Sequence, residues 1–561
     1  MVALLTIGLV VVGLIQRPHR ATSVVLVVLD TVRADHCSAY GYPKKTTPRL
    51  DALAAEGLLY EQARAVAPWT LPSHASLFTG LPPSAHGCTF EHRWLLDRFD
   101  TMAERLSASG RETFGVTTNA NASSLYHLDQ GFETFLETWT LRERHRGLDD
   151  SGIANAEIRR WLEGRDPRTP FFLFVNYADA HLPYAPPPPY DTQFGPVDER
   201  ARALAAKADL LEQTLLGDEQ VSDADTEGLS ALYDGELRAA DARLGELLDL
   251  LARLDLAEDT LVIVTSDHGE QLGEGGQVDH QLSLAESLLR VPLVVRFPGR
   301  IRPGRVPELL PATELKGWLD EIADGRLPEW SPAPDRSPFA AIAEYHRPVD
   351  LVDRVAAAGR DAAPLDVRRF AAYRARGRAG DKLLRLEPGG DSLWSVDEQG
   401  RERLASTADL EQQVELQLEL QRALDQQLGG ATFEELPGDL TFEAPPDASA
   451  LADLRRLGYA TALAGGAVGM HASEHWSAGR RAAARGDTAT ALRELQVAAQ
   501  LAGEPVTLLY ELAQAADAAR HPDAAGALVR FLKAVGSGAP APATQVEWAK
   551  RRLDELREGR R

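Results

Sequence analysis

The sequence predicts an α/β fold in which a mainly parallel sheet is sandwiched by helices, followed by a small C-terminal subdomain and an all-α repeat tail. Short apolar runs at Ser23–Leu29, Phe171–Tyr177 and 260–267 are typical of strands buried on both faces of a parallel sheet. An amphipathic segment at 231–254, apolar at three- and four-residue steps, predicts a long helix between two of these strands. Strands that alternate with long helices indicate parallel strand order.

The 561 residues are too many for one ordinary domain. We predict five segments in chain order. They are a signal or membrane-anchor segment at 1–20, the α/β core at 21–330, its C-terminal subdomain at 331–430, a linker at 431–470 and helical repeats at 471–561. Short strand-like stretches at 370–376 and 382–386 predict a small sheet in the subdomain, and 408–428 predicts a polar helix.

The amino-terminal segment is apolar from residue 2 to residue 15. At about 1.5 Å per residue it reaches only about 21 Å, which is short of a hydrocarbon core about 30 Å thick. It is therefore interpreted as a signal h-region or part of a membrane anchor, and a periplasmic or extracytoplasmic location is expected. No basic region precedes the run and Arg17 and Arg20 follow it, which argues against an ordinary signal peptide. The alternative is that an upstream segment is missing from this start site, or that the run is a buried helix.

The tail carries a weak internal repeat. The pairs Ala491-Leu492 and Ala527-Leu528 are 36 positions apart, a period typical of tetratricopeptide-like helical hairpins, and an ordinary helical bundle is the alternative. Stacked hairpins offer a concave surface, so a protein partner or self-association through the tail is expected.

The charge and the cysteine content argue against several classes of function and of structural site. With 83 acidic and 60 basic residues the formal net charge is -23, which argues against nonspecific nucleic-acid binding. Two cysteines give neither a disulfide framework nor a thiolate metal site.

Candidate site residues follow the predicted strands. Asp30 ends the first strand, and Asp267 and His268 end the strand at 260–267, in the stretch SDHGE. In open parallel sheets ligands gather beyond the carboxyl ends of strands, and carboxylates with imidazole suit a divalent cation. Each acid taken alone is more often a helix cap.

Thr70, in PWTLPSHASLFTG, has two interpretations. Its hydroxyl could cap the helix that follows, or it could attack an ester when a divalent cation lowers its pKa. Combined with a strand-end acid and a distant Asp-His pair, the nucleophile is the preferred hypothesis.

Six ordered stretches point to a known family: VVLVVLDTVRADH, WTLPSHASLFTG, NYADAHLPYAPP, YDGELRAADARLGELL, TLVIVTSDHGE and DHQLSLAESLLRVPLVVRFPG. Over about residues 23–428 the chain resembles the sulfatase-like branch of the alkaline phosphatase superfamily. The stretch LRRLGYA at 454–460, followed by helical repeats, is similar to sulfatase-like chains with a tetratricopeptide tail.

The resemblance implies a metal-dependent ester hydrolase or transferase, and the chain departs from sulfatases proper at the nucleophile. Their motif Cys-x-Pro-Ser-Arg, whose Cys or Ser becomes formylglycine, is represented here by Thr70 and, in place of the Arg, His74. Oxidation of threonine at Cβ gives a ketone, so formylglycine chemistry is not expected. The acidic pair after the first strand is also reduced to Asp30-Thr31, and the family's Lys near His280 is missing.

A threonine nucleophile instead resembles lipoteichoic acid synthases and phosphoethanolamine transferases, which form a phosphothreonine at one divalent metal. The resemblance implies one cation (manganese, magnesium, calcium or zinc) held by Asp30, Thr70, Asp267 and His268, with Thr70 as nucleophile. Binuclear zinc members of the family need further ligands, often in an Asp-x-x-x-His spacing. Here Asp179 and His181 are only two positions apart and Asn176 occupies an unsuitable place, so one metal is expected.

The remaining candidate residues are those expected to protonate or to bind the substrate. His280 matches the family's catalytic histidine, and His181 follows the strand at Phe171–Tyr177; either imidazole could protonate the leaving oxygen. A structural role is the alternative for His181. His74 and Asn119 are assigned to binding the anionic ester.

The predicted function is phosphodiester or sulfate ester chemistry at Thr70. The alternative is a catalytically degenerate sulfatase-fold protein that serves as a binding scaffold through its helical repeats.

Overall fold

A computed structural model describes residues 22–90, 93–330, most of 341–404 and parts of 488–558. The predicted segments 1–20 and 431–470, the helix at 408–428 and the LRRLGYA stretch lie outside the described residues. Among the described residues, no helix combines the length and apolar character needed to cross a bilayer.

The helices and strands alternate through the core, as predicted. The strands are β1 Ser23–Leu29, β2 Leu58–Arg64, β3 Glu112–Thr117, β4 Thr134–Glu137, β5 Phe171–Tyr177, β6 Thr260–Thr265, β7 Gln271–Leu272, β8 Val278–Asp279, β9 Leu293–Arg296 and β10 Gly304–Pro311. The helices are α1 Pro48–Glu56, α2 Thr70–Thr79, α3 Pro83–His86, α4 Met102–Ala108, α5 Asp150–Gly164, α6 Glu199–Ala205, α7 Leu210–Leu216, α8 Asp223–Arg253, α9 Glu286–Leu289 and α10 Glu314–Ala323.

The central sheet has eight strands in the order β10-β2-β9-β6-β1-β5-β3-β4. All neighbouring pairs are parallel except those that β9 makes with β2 and β6. Strand β1 lies at the centre, and its alternate residues enter different cores: Val24, Leu26 and Val28 face one hydrophobic cluster, whereas the intervening residues face the other. The sheet is therefore buried on both faces, which confirms the predicted fold class.

The C-terminal subdomain is an antiparallel sheet. It contains β11 Ala341–Tyr345, β12 Arg368–Arg376, β13 Ala379–Glu387, β14 Asp391–Val396 and β15 Glu402–Leu404 in sequential order, with α11 Val349–Ala357 between the first two strands. Lys382 on β13 donates to the carbonyl oxygen of Leu284, so this sheet contacts the segment that precedes α9.

The described part of the tail is helical, with α12 Val506–Ala518, α13 Ala524–Gly536 and α14 Ala543–Glu558. Leu492 and Leu528, members of the two repeated Ala-Leu pairs, are buried in one shared hydrophobic cluster with these helices. A C-terminal helical region is thus confirmed, and its tetratricopeptide-like character remains a prediction.

Asp241 of α8 connects that helix to α1. Its carboxylate accepts hydrogen bonds from the backbone N–H groups of Arg49 (2.9 and 3.1 Å) and Leu50 (2.9 Å), in the first turn of α1. These donors have no partner within their own helix, so the carboxylate serves as a cap supplied by a distant residue.

We expect Asp241→Ala to destabilise the protein by about 2–3 kcal/mol, because it leaves two backbone donors without an acceptor in a buried position. Urea denaturation would measure the loss. Asp241→Asn keeps one acceptor oxygen and should cost clearly less, and equal stability of the Ala variant and the wild type would contradict this assignment.

Candidate active site

The predicted site residues meet at one edge of the central sheet. Strands β6, β1, β5 and β3 are consecutive neighbours and parallel, so their carboxyl ends lie side by side. Asp30 follows β1, Asn119 follows β3, and Asp267 with His268 follows β6, while Asn176 is the penultimate residue of β5. The topology therefore brings together residues that are far apart in the sequence.

Thr70 is the first residue of α2, and its side chain faces this edge. Its Oγ1 lies 3.3 Å from Nε2 of His268 and 3.4 Å from Nδ2 of Asn119. Trp69, and not Thr70, occupies the N-cap position. The Thr70 hydroxyl thus lies among the candidate metal ligands, and the helix-capping alternative does not account for its position.

Each of the two carboxylates leaves one oxygen without a hydrogen bond from the described residues. Oδ2 of Asp30 accepts from Nδ2 of Asn119 (2.8 Å) and of Asn176 (3.0 Å), whereas Oδ1 is buried and has no partner in the described ranges. Oδ1 of Asp267 accepts from the backbone N–H groups of His268 (2.9 Å) and Thr31 (3.2 Å), and Oδ2 likewise has no hydrogen-bond partner among the residues that the structure describes. Burial raises the pKa of both carboxyls, and for Asp30 the nearby Asp267 raises it further.

The tautomer of His268 suits metal binding. Nδ1 donates to the carbonyl oxygen of Gly269 at 2.9 Å, which leaves the lone pair of the neutral ring on Nε2, beside Thr70. Burial lowers the pKa of His268 well below its usual value, so the ring is neutral. Ligand atoms of Asp30, Asp267 and His268 lie within 4.8 Å of one another. Two buried carboxylate oxygens without partners and an imidazole lone pair fit a divalent cation.

His74 lies against the metal-ligand candidates. Its Nδ1 is 2.9 Å from the carbonyl oxygen of Thr70 and 3.4 Å from Oδ2 of Asp267, and Asn176 donates to its Nε2 at 3.3 Å. The ring packs edge-on against Phe174, and burial lowers its pKa. His74 is therefore a neutral imidazole that orients Asn176 and Asp267. Contact with substrate remains a prediction for His74 and for Asn119.

His280 lies beside His268, and His181 lies beside His280. The ring centroids of His280 and His268 are 4.5 Å apart, and those of His280 and His181 are 4.9 Å apart with the rings edge-on. Nδ1 of His181 donates to the carbonyl oxygen of Leu182 at 2.5 Å, and burial lowers the pKa of His181 to about 3. Both predicted proton donors thus share one cluster with the metal-ligand candidates.

Three residues of this cluster were missed by sequence reasoning. Asn176 was set aside as a poor ligand, yet its amide bonds both Asp30 and His74. Glu270, within SDHGE, and Asp279, directly before His280, contact the imidazole of His280. The sequence signal for Glu270 and Asp279 was that each stands close along the chain to a candidate histidine, His268 or His280. Asp179 instead accepts a hydrogen bond from Ser151.

Comparison with known proteins identifies the family. The sulfatase family model matches residues 22–315, which is more than half of the chain. The chain belongs to the sulfatase family. Within this family it is 26% identical over 338 residues to an ulvan-active sulfatase of Formosa agariphila, covering 52% of this chain and 60% of the relative. It is 23% identical over 365 residues to an arylsulfatase of Clostridium perfringens, covering 55% of this chain and 76% of that one.

The sulfatase-family fold is also seen among solved structures. The phosphonate monoester hydrolase of Agrobacterium radiobacter superimposes with a TM-score of 0.54 at 23% identity, over 73% of this chain and 96% of the other. This likeness concerns the fold. The chain spans only about three-fifths of the ulvan-active sulfatase.

Proposed function

We propose that this sulfatase-family protein is a metal-dependent hydrolase or transferase of phosphate or sulfate esters in which Thr70 is the nucleophile. One observation carries the proposal: Oγ1 of Thr70 lies 3.3 Å from Nε2 of His268, beside two buried carboxylates whose Oδ1 (Asp30) and Oδ2 (Asp267) accept no hydrogen bond from any described residue. The names of the relatives, an arylsulfatase and a phosphonate monoester hydrolase, support ester cleavage at sulfur or phosphorus.

One divalent cation (manganese, magnesium, calcium or zinc) would be held by Asp30, Thr70, Asp267 and His268. When bound, such a cation lowers the pKa of a hydroxyl and offsets the negative charge of the ester oxygens. The formylglycine route of sulfatases is not open to a threonine, because its Cβ carries a methyl group and oxidation would give a ketone.

The reaction then has two steps. Oγ1 of Thr70 gives its proton to a neutral imidazole, that of His181 or His280, and forms a bond to phosphorus or sulfur as the bond from that atom to the alcohol oxygen breaks. The imidazolium so formed passes the same proton to the alcohol oxygen. Water or a second alcohol next attacks the Thr70 ester and releases the hydroxyl. Asn119, whose amide lies 3.4 Å from Oγ1 of Thr70, would donate to an ester oxygen once substrate is bound.

The charge of the site favours singly charged esters. Among the described residues, the polar contacts of the Asp30 and Asp267 carboxylates come from amides, imidazoles and backbone N–H groups, and His74 is neutral where sulfatases proper have Arg. A single dication balances the two carboxylates, so little positive charge is left for a dianionic monoester. Phosphodiesters and sulfate monoesters carry one negative charge each and are the preferred substrate classes.

The test is the intact mass of chelator-treated protein after brief incubation with manganese and a phosphodiester, a phosphomonoester or an aryl sulfate. We expect a phosphoryl or sulfuryl adduct that requires manganese, and fragmentation should locate it on Thr70. An adduct on another residue would overturn the assignment of the nucleophile. Absence of adduct, turnover and bound metal would instead support the catalytically degenerate scaffold.

A further inference from the structure

A second cluster of possible metal ligands lies beside the Thr70 site and shares none of the metal-ligand candidates there. Nδ1 of His280 is 2.8 Å from Oδ1 of Asp279 and 3.1 Å from Oε1 of Glu270. The ligand atoms of these three side chains lie within 4.8 Å of one another, and all three residues are buried. In a tetrahedral or octahedral site with bonds near 2.1 Å, ligand atoms are separated by about 3–3.5 Å. The cluster already approaches that spacing.

The backbone holds this cluster in place. Strands β7 and β8 form a two-stranded hairpin in which Gln271 pairs with Asp279. Glu270 directly precedes the first of these residues and His280 directly follows the second, so the hairpin places Glu270, Asp279 and His280 together. The backbone N–H of His280 also donates to Oδ1 of Asp279 at 2.7 Å, which orients that carboxylate.

The cluster has more buried negative charge than its neighbours balance. Within the described part of the chain, Oε2 of Glu270 is buried without a hydrogen-bond partner at ordinary distance, and the neutral hydroxyl of Tyr184 interacts with this carboxyl without balancing its charge. Arg33 comes close, but it donates to the backbone oxygen of Glu270, and its guanidinium pairs with the carboxylates of Asp35 and Glu274. Burying two carboxylates mainly among imidazoles costs free energy, because their negative charge loses its hydration. A bound cation would offset this cost.

We propose that Glu270, Asp279 and His280 form a second divalent-cation site next to the one at Thr70. Two carboxylates and an imidazole suit manganese or zinc. His280 then acts as a ligand, and His181, whose ring packs edge-on against His280, is the neutral imidazole left to carry the Thr70 proton to the leaving group. The site does not depend on which ester is cleaved or on Thr70 as nucleophile.

The experiment is equilibrium dialysis of the chelator-treated full-length chain against manganese, with bound metal counted by elemental mass spectrometry. We expect about two ions per chain in the wild type and about one in both Glu270→Gln and Asp267→Asn, because each variant removes a ligand of one site. Glu274→Gln is the matched control: it changes a nearby acid of the same loop that pairs with Arg33, and it should keep two ions. Electron paramagnetic resonance should show coupling between two manganese ions that Glu270→Gln removes.

A single ion per chain that persists in Glu270→Gln would overturn the second site, and so would two ions in Glu270→Gln. If that single ion is lost in Asp267→Asn, the cation proposed at Thr70 stands while the second fails. A single ion that is lost in Glu270→Gln and kept in Asp267→Asn would instead support the second site and overturn the cation at Thr70. If Glu270→Gln does not fold, as judged by circular dichroism, the wild-type count and its spin coupling decide alone.

Discussion

Turnover by Thr70→Ala is expected to fall by about 10⁴-fold or more relative to the wild type, because removal of a nucleophile leaves only binding and electrostatic contributions. Steady-state kcat on the phosphodiester or aryl sulfate that the wild type cleaves is the measurement. Thr70→Ser keeps a hydroxyl at the same position without the methyl group that fixes its rotamer. We expect this variant to retain activity within about 10²-fold, the loss that a small displacement of a reacting atom causes.

The same helix provides the control for this prediction. Oγ1 of Thr79 donates to the carbonyl oxygen of Ala75 at 2.7 Å, at the opposite end of α2 from Thr70. Thr79→Ala therefore removes the same atoms from the same helix without touching the site, and kcat should not change. If Thr70→Ala kept kcat within tenfold of the wild type, Thr70 would not be the nucleophile.

The sequence was informative where a chemically distinctive residue follows an apolar run. Asp30 and the pair Asp267-His268 stand directly after runs that form β1 and β6, and parallel neighbours share one carboxyl edge. That rule alone predicts that these residues meet. Thr70 was suspected for a different reason, since it stands at the start of α2 in a position where the family pattern has another nucleophile.

The positions of the residues that were missed depend on strand pairing, which the hydrophobic pattern of the sequence does not encode. Asn176 lies inside the apolar run of β5, and only the register, which places it opposite Val28, brings its amide to Asp30. Strands β7 and β8 have two residues each, too few for any periodicity, so the meeting of Glu270 with His280 could not be predicted. The antiparallel direction of β9 relative to β2 and β6 is a further feature of strand pairing that hydrophobicity along the chain does not show.

Gly269 is the position where the smallest substitution should have the largest effect on stability. A Cβ at this residue would lie 1.8 Å from the backbone oxygen of Ser287 and 2.9 Å from its carbonyl carbon. The contact is with backbone, which cannot rotate away, and the N–H of Gly269 donates to the carbonyl oxygen of Leu288 at 2.7 Å. The close approach that allows this hydrogen bond therefore excludes any side chain.

We expect Gly269→Ala to destabilise the core by about 3 kcal/mol, the upper part of the usual range for overpacking, and to lower the midpoint of thermal unfolding. Activity should fall as well, because the carbonyl oxygen of Gly269 accepts from Nδ1 of His268 and so orients that ring. Gly317→Ala is the control, since Gly317 lies on the exposed side of α10 and no atom lies within 4 Å of its added Cβ. That change should stabilise α10 by about 0.5–1 kcal/mol. Equal unfolding midpoints for the two variants would show that the segment around Ser287 can move away from Gly269, and the close packing between the two segments would then not be what positions His268.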